Sequence, residues 1–217
     1  VMTTSFLEVD GVPHKVIQRH INFGLAVDVE RKDKSRSLLV PNIKIADTLD
    51  FNMFFSAYNE LLRKVKTNTI EPDDFLGTTV SLTNPGMIGT VHSIPRLMAG
   101  QSCIIATGAI DYPAEYQSAD PQLIARLGIS KVMTMTCTYD HRIIQGAESG
   151  MFLGHIQQLL AGTDNFYQEI FSSLKVPFQP VQLRQDVNPS FETDGDRPVM
   201  FEKQARVLQM INMFRVR

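Results

Sequence analysis

The fold is decided by one stretch of the chain, residues 131–150, with the sequence KVMTMTCTYDHRIIQGAESG. Its first half alternates, so that Met133, Met135, Cys137 and Tyr139 share one face of an extended chain and the residues between them share the other. A helix is expected to follow, with apolar side chains on one side at Phe152, Ile156, Leu159 and Leu160. The stretch therefore predicts a strand, a polar turn and a helix in direct succession.

Five further elements are predicted between residues 20 and 110. The segments 79–83 and 102–110 are rich in apolar and β-branched residues and indicate strands, as does HINFGLAVDVE at 20–30. The polar turn KDKSR at 32–36 separates that last strand from a second extended segment at 38–47. A helix is predicted from residue 51, capped by Thr48 or Asp50, and its apolar stripe is interpreted as core: Phe51, Phe54, Phe55, Tyr58, Leu61, Leu62 and Val65.

The turn after the 131–139 strand holds the first candidate for chemistry. His141 lies between Asp140 and Arg142, where a strand aims a side chain and a loop leaves it accessible. An imidazole with a pKa near 6.5 accepts and returns a proton at neutral pH. The alternative is a structural histidine, held in place by its charged neighbours.

The second candidate is the strand 79–83 and the turn Asn84-Pro85-Gly86 that follows it. Ser81 and Thr83 are two residues apart and share a face, where their hydroxyls are placed to donate to an oxyanion. The alternative is a plain polar strand with a tight turn. The segment has neither the GxxxxGK nor the GxGxxG pattern of a phosphate-binding loop.

Composition excludes several classes of function. The 217 residues include 21 Lys and Arg and 23 Asp and Glu, and a net charge of −2 argues against nucleic acid as the main partner. No apolar run approaches the roughly 20 residues of a membrane-spanning helix. Cys103, Cys137 and the five histidines show no metal-binding pattern, so no metal is expected. Without a signal-peptide pattern, a cytoplasmic protein is predicted.

Residues 163–217 differ in composition from the rest of the chain. Prolines recur at positions 177, 180, 189 and 198, which is typical of a linker or an extended arm. Pro198 then opens a last predicted helix, with Asp196 available as its cap. Because residue 1 is Val and the chain ends inside this helical pattern, we expect a piece of a longer polypeptide in which a further module follows.

Taken together, these motifs resemble a known family. The pattern DHR-x-x-x-G at 140–146, the pattern T-N-x-G at 83–86, INFGLAVDV at 21–29 and VPNIKIAD at 40–47 are similar to the catalytic domain of the dihydrolipoamide acyltransferases of 2-oxoacid dehydrogenase complexes. The resemblance covers about residues 20–162. It implies the α/β fold of chloramphenicol acetyltransferase, a mixed sheet flanked by helices, in a homotrimer with active sites between subunits. It assigns residues 1–162 to this domain, with the domain's first helices ahead of Val1.

The resemblance is closer to an actinobacterial subfamily in which a succinyltransferase domain is fused to a thiamine-dependent 2-oxoglutarate dehydrogenase. It rests on TYDHRIIQGAESG (138–150), SLTNPGMIGTVHSIPRLM (81–98) and the end ARVLQMINMFRVR (205–217). The implied reaction is the transfer of a succinyl group between dihydrolipoamide and coenzyme A, in the tricarboxylic acid cycle. The lipoyl domain would come from another protein. Thiamine diphosphate and Mg²⁺ would belong to the dehydrogenase module, in the same polypeptide beyond Arg217.

The resemblance also implies roles for individual residues. His141 matches the catalytic base, Thr83 matches the hydroxyl donor to the oxyanion, and Ser81, Asn84 and Gln145 support them. Gln145 departs from the usual Asp of the family, and this keeps a second hypothesis beside the first. Three hypotheses are considered. The first is an active succinyltransferase, and the second is a catalytically silent trimeric scaffold that positions the dehydrogenase modules. The third is an acyltransferase for another acceptor, such as a drug hydroxyl, which the segment after residue 162 disfavours.

Overall fold

The computed structural model of the protein describes residues 2–30 and 33–178. These residues form nine strands and four α-helices, and six of the strands precede the first helix. The strands are β1 (Thr4–Val9), β2 (Val12–Ile17), β3 (Phe23–Leu25), β4 (Val27–Glu30), β5 (Arg36–Leu39), β6 (Asn42–Ile43), β7 (Val80–Thr83), β8 (Cys103–Thr107) and β9 (Met135–Tyr139). The helices are α1 (Phe51–Thr67), α2 (Pro121–Leu127), α3 (Gly146–Leu160) and α4 (Phe166–Ser173).

A five-stranded mixed sheet forms the centre, in the order β6-β3-β7-β8-β9. Strands β3, β7 and β8 run parallel, and β6 and β9 are antiparallel edges. Strand β8, whose sequence is CIIAT, is buried along its whole length, because it has a neighbour on each side and cover on both faces. The predicted mixed sheet flanked by helices is therefore confirmed.

Helix α1 covers part of the apolar face of the sheet. Its predicted cap is Asp50, whose carboxylate accepts from the backbone N–H of Met53 at 2.7 Å. Leu61 is buried against Leu25 and Ile43 of the sheet, with Phe54 at the edge of the same cluster. The aromatic side chains of the stripe are partly buried, so the stripe faces the core, as its helical spacing predicted.

Three predicted segments are divided differently in the structure. The extended segment 38–47 contains the end of β5, the short strand β6 and the start of a 3₁₀ turn at Ala46–Thr48. The segment 20–30 forms two strands, because β3 pairs inside the central sheet and β4 pairs only with β5 in a separate hairpin. The strand predicted at 131–139 begins at Met135, since Val132 makes only an isolated bridge to Asp111. In each case a run of strand-forming residues spans a change of pairing partner, which local pattern does not encode.

The residues directly after 162 are folded, although their composition predicted a linker. Helix α4 buries Ile170 and Phe171, and the hydroxyl of Ser173 accepts from the backbone N–H of Asn52 at 2.8 Å, at the start of α1. Tyr167 donates to the carbonyl of Leu160 at 2.7 Å, at the end of α3. These contacts attach α4 to the domain. The prolines beyond 178 and the predicted helix at Pro198 lie outside the described residues.

A hairpin at the start of the chain was not predicted. Strands β1 and β2 pair antiparallel around Asp10 and Gly11, which have φ values of 51° and 77°. Two successive positive φ angles define the tight hairpin turn that Asp-Gly favours. The base of the hairpin is buried at Thr4 and Ser5, and its tip is exposed. Within residues 2–30 and 33–178, no helix is long and apolar enough to cross a membrane.

Candidate active site

His141 lies on the turn between β9 and α3, and its side chain is exposed. The turn is fixed on both sides of it. The backbone N–H of Asp140 donates to the carbonyl of Ser102 at 2.9 Å, and that of Ile144 donates to the carbonyl of Asp140 at 2.9 Å. The imidazole lies 5.5 Å from the ring of Tyr139, centroid to centroid. A rigid strand end thus presents an accessible imidazole, which is the arrangement a proton acceptor needs.

The neighbours of His141 form an ion pair that braces the turn. The Arg142 guanidinium donates from Nε to Asp140 Oδ1 at 2.9 Å and from an Nη to Asp140 Oδ2 at 2.6 Å. Only 11% of the Asp140 side chain is exposed, and hydrogen bonding from the guanidinium holds the pKa of its carboxyl below the usual value. The guanidinium carbon also lies 3.8 Å from the ring centroid of Phe6 in β1. The charges beside His141 therefore stabilise each other.

Thr83 is the last residue of β7 and is half-buried. It shares a face of the strand with Ser81, as predicted, but the two hydroxyls have different surroundings. Ser81 is fully buried and donates to Oε1 of Gln101 at 2.7 Å. A Cβ at Gly24, on the neighbouring strand, would lie 2.6 Å from the Ser81 hydroxyl oxygen. Of the two hydroxyls, the one at Thr83 is nearer the surface.

The turn after Thr83 is held by close approaches of backbone to backbone. A Cβ on Gly86 would overlap the carbonyl of Gly108, and a Cβ on Gly108 would overlap the carbonyl of Val91. The backbone N–H of Ala109 donates to the carbonyl of Thr90 at 2.8 Å in the same region. Asn84 lies in this turn, and its Oδ1 atom is buried without a hydrogen-bond partner among the described residues. The backbone that follows Thr83 is therefore held in one position by these close contacts.

Gln145 is the N-cap residue of helix α3. Its backbone N–H donates to Oε2 of Glu148 at 2.8 Å, which satisfies a donor at the helix start. The Gln145 side chain is exposed, as is that of His141. The two residues lie at the same end of β9.

The structure does not bring His141 and Thr83 of one chain together. Tyr139 is level with Cys103 and Val80 across the sheet, and Thr83 is three residues further along β7. At ~3.3 Å per residue, Thr83 lies ~10 Å from the level of Tyr139, towards one end of the sheet. His141 lies beyond Tyr139, towards the other end. The predicted base and hydroxyl therefore occupy opposite ends of the sheet.

Sequence reasoning missed two residues that contact these sites, Phe6 and Gln101. Phe6 belongs to the hairpin, which the Asp10-Gly11 pair between apolar residues indicates. Gln101 carries no local signal, because only the fold brings it to Ser81. Both cysteines are free, and no group of three or more His, Cys, Asp or Glu side chains within 2–30 and 33–178 is placed to hold a metal ion.

The chain matches known proteins along its whole length. The family model for the 2-oxoacid dehydrogenases acyltransferase (catalytic domain) matches residues 6–167. The multifunctional 2-oxoglutarate metabolism enzyme of Mycobacterium sp. (strain JLS) is 50% identical over 216 residues, which are 100% of this chain. That of Mycolicibacterium vanbaalenii is 49% identical. The chain spans only 16% and 17% of the lengths of these two relatives.

Solved structures agree on the fold. A probable dihydrolipoamide acetyltransferase from Listeria monocytogenes aligns with a TM-score of 0.53 at 20% identity, covering 80% of this chain and 62% of that one. The cubic core of a pyruvate dehydrogenase multienzyme complex aligns with a TM-score of 0.58 at 22% identity, covering 76% and 63%. Dihydrolipoamide acetyltransferase of Azotobacter vinelandii, studied for the catalytic role of a serine, a histidine and an asparagine, aligns with a TM-score of 0.56 at 22% identity, also covering 76% and 63%.

Proposed function

The chain belongs to the 2-oxoacid dehydrogenase acyltransferase (catalytic domain) family, and we propose that it transfers a succinyl group between dihydrolipoamide and coenzyme A. The acyltransferase class follows from the family match over residues 6–167. The succinyl group is proposed from the 50% identity to an enzyme of 2-oxoglutarate metabolism, since succinyl is the acyl group left when 2-oxoglutarate loses CO₂.

One observation carries the proposed mechanism. The register places Thr83 and His141 at opposite ends of the sheet, so a complete site needs two copies of the chain. We propose a homotrimer in which the Thr83 end of one copy faces the His141 end of the next. Head-to-tail contacts of this kind form a closed ring where the rotation between copies is one third of a turn. Exposed apolar residues soon after Thr83 support this contact, namely Met87, Ile88, Val91 and Ile94.

His141 acts as the general base in this mechanism. A thiol with a pKa near 8.5 is mostly protonated at pH 7, so the attacking coenzyme A thiol needs a proton acceptor. A ring nitrogen of His141 takes that proton as the sulfur attacks the succinyl thioester carbon, and the carbonyl oxygen becomes an oxyanion. The hydroxyl of Thr83 from the adjacent copy donates to this oxyanion. The intermediate then releases the dihydrolipoamide sulfur, which takes the proton back from His141. The reverse reaction uses the same groups.

Gln145 is compatible with this chemistry. In the Azotobacter vinelandii enzyme, the investigated asparagine follows the investigated histidine by four positions, the spacing between His141 and Gln145. Both are neutral amides that donate and accept hydrogen bonds. We propose that Gln145 is a supporting residue beside the reacting sulfur, together with Asn84 beside Thr83. Ser81 supports Thr83 indirectly, by tying β7 to Gln101.

The remaining features of the complete protein are proposed from its relatives. Residues 163–217 join the acyltransferase to a 2-oxoglutarate dehydrogenase module in the same polypeptide, where thiamine diphosphate and Mg²⁺ would bind. The match over 100% of the chain, including these residues, supports this fusion. The lipoyl domain that delivers the succinyl group would be supplied by another protein, in the cytoplasm.

A transfer assay on the complete protein tests the proposal. Succinyl-coenzyme A and dihydrolipoamide are supplied, and acetyl-coenzyme A is the competing donor. We expect succinyl transfer to exceed acetyl transfer, and His141→Ala to lower it by about 10²–10⁴. Transfer that is unchanged in His141→Ala would refute the assigned base. Absence of transfer in an intact trimer would instead favour the scaffold function, in which the domain only positions the dehydrogenase modules.

A further inference from the structure

We propose that the N-terminal hairpin positions the catalytic turn, with Phe6 acting on His141 through Arg142 and Asp140. This inference rests on the proposed function only in giving His141 its catalytic role. The contacts themselves belong to the structure. The contact of Phe6 is with Arg142, so Phe6 is argued to act through that side chain as a positioning residue.

The first attachment runs through the ion pair beside His141. The ring of Phe6 lies 3.8 Å from the guanidinium carbon of Arg142, within the range of a cation–π contact. The edge of the same guanidinium is occupied by the two carboxylate oxygens of Asp140. A planar group fixed on its face and its edge has little freedom to rotate. Because Asp140 and Arg142 flank His141, fixing them fixes the backbone that carries the imidazole.

The second attachment runs through Ser102, which is only 1% exposed. Its hydroxyl donates to the carbonyl of Met2, at the foot of the hairpin. Its own carbonyl accepts from the backbone N–H of Asp140 at 2.9 Å. The hairpin thus reaches Asp140 by a route independent of Phe6.

The hairpin also packs against the core beneath this turn. Met2 and Phe6 lie against a buried cluster that contains Ile143 and Ile144, just after Arg142, together with Val80 and Cys103 of the sheet. The apolar residues further out are exposed, with Leu7 at 52%, Val9 at 45% and Val12 at 53%. The buried contacts of the hairpin therefore include the segment that follows the imidazole, whereas its outer part is exposed.

Three variants of the complete protein test this role. Phe6→Leu keeps an apolar side chain and removes the ring, Phe6→Tyr keeps the ring, and Leu7→Ala is the control on the exposed side of the same strand. We expect kcat to fall about tenfold in Phe6→Leu with KM unchanged for both substrates, because a small misplacement of the base slows the reaction without weakening binding. Phe6→Tyr should retain the kcat of the original protein, and so should Leu7→Ala.

A double-mutant cycle tests the route through Arg142. If Phe6 acts through the guanidinium, Phe6→Leu should have almost no further effect on kcat in an Arg142→Met background. Equal losses in both backgrounds, or a Phe6→Leu effect no larger than that of Leu7→Ala, would overturn the proposal.

Hydrogen exchange gives a readout that does not depend on transfer activity. The amide protons of Asp140 and Ile144 should exchange about tenfold faster in Phe6→Leu than in Leu7→Ala, because the turn opens more often. Unchanged exchange at these amides would overturn the positioning role even if the enzyme is active. Faster exchange in a protein that shows no transfer would retain the positioning role and refute the proposed function.

Discussion

The two ends of the central sheet are fixed by different physical means. At the Thr83 end, glycine backbones approach other backbones so closely that no side chain fits at Gly86 or Gly108. At the His141 end, side chains provide the support, through the Asp140–Arg142 ion pair and its contact with Phe6. The position of Thr83 is therefore fixed by close backbone packing, whereas the position of His141 is fixed by charged side chains. The two ends should therefore respond differently to substitution and to pH.

The largest expected effect is at the His141 end. His141→Ala should lower the transfer rate by about 10²–10⁴, the usual contribution of a general base. His155→Ala is the matched control, since His155 is exposed on α3. Steady-state transfer assays measure both. Equal rates in the two variants would show that the imidazole of His141 takes no proton.

At the other end, Thr83→Val removes one hydroxyl and keeps the shape of the side chain. The rate should fall by about 10²–10³, because one donor to the oxyanion is lost. Thr83→Ser keeps the donor and should retain most of the activity. Steady-state transfer assays measure both variants. A Thr83→Val enzyme as active as Thr83→Ser would contradict the role of Thr83 as the hydrogen-bond donor.

The resemblance to the acyltransferase family predicted the roles of His141 and Thr83. The local pattern of apolar residues predicted the strands that carry them. The pairing of the strands was not predictable, because β3 and β4 lie in one run of strand-forming residues and only tertiary contacts separate them. The hairpin was signalled by Asp10-Gly11, but its contact with Arg142 was not, since 136 positions separate Phe6 from Arg142. Likewise, Gln101 reaches Ser81 only through the crossing between β7 and β8.

The different kinds of support predict different effects on stability. Gly86→Ala should lower the free energy of unfolding by about 1–3 kcal/mol, because the new methyl group overlaps the backbone of Gly108. Gly150→Ala is the control in helix α3, where a Cβ meets nothing within 4 Å, and it should stabilise the protein by about 0.5–1 kcal/mol. Thermal or urea unfolding of both variants checks this. A Gly86→Ala protein as stable as the original would show that the turn is not tightly packed.

The smallest expected effect concerns pH at the His141 end. Because the pKa of Asp140 is lowered in the folded protein, its ion pair contributes full stability above the unfolded pKa of about 3.9. That contribution is lost as the pH falls through the folded value. The Tm difference between the original protein and Asp140→Asn should therefore be largest near neutral pH and shrink on acidification. A constant difference would show that the carboxylate charge adds nothing to the turn.

The proposed site is shared between two copies of the chain, and co-expression of two inactive variants tests this directly. Two variants of the complete protein, His141→Ala and Thr83→Val, are co-expressed in equal amounts so that their chains assemble together. In a ring with head-to-tail contacts, about a quarter of the interfaces combine an intact His141 with an intact Thr83, so about a quarter of the original activity should return. If the mixture is as inactive as either variant alone, although the chains are shown to co-assemble, the two residues do not meet across an interface and the proposed site is wrong.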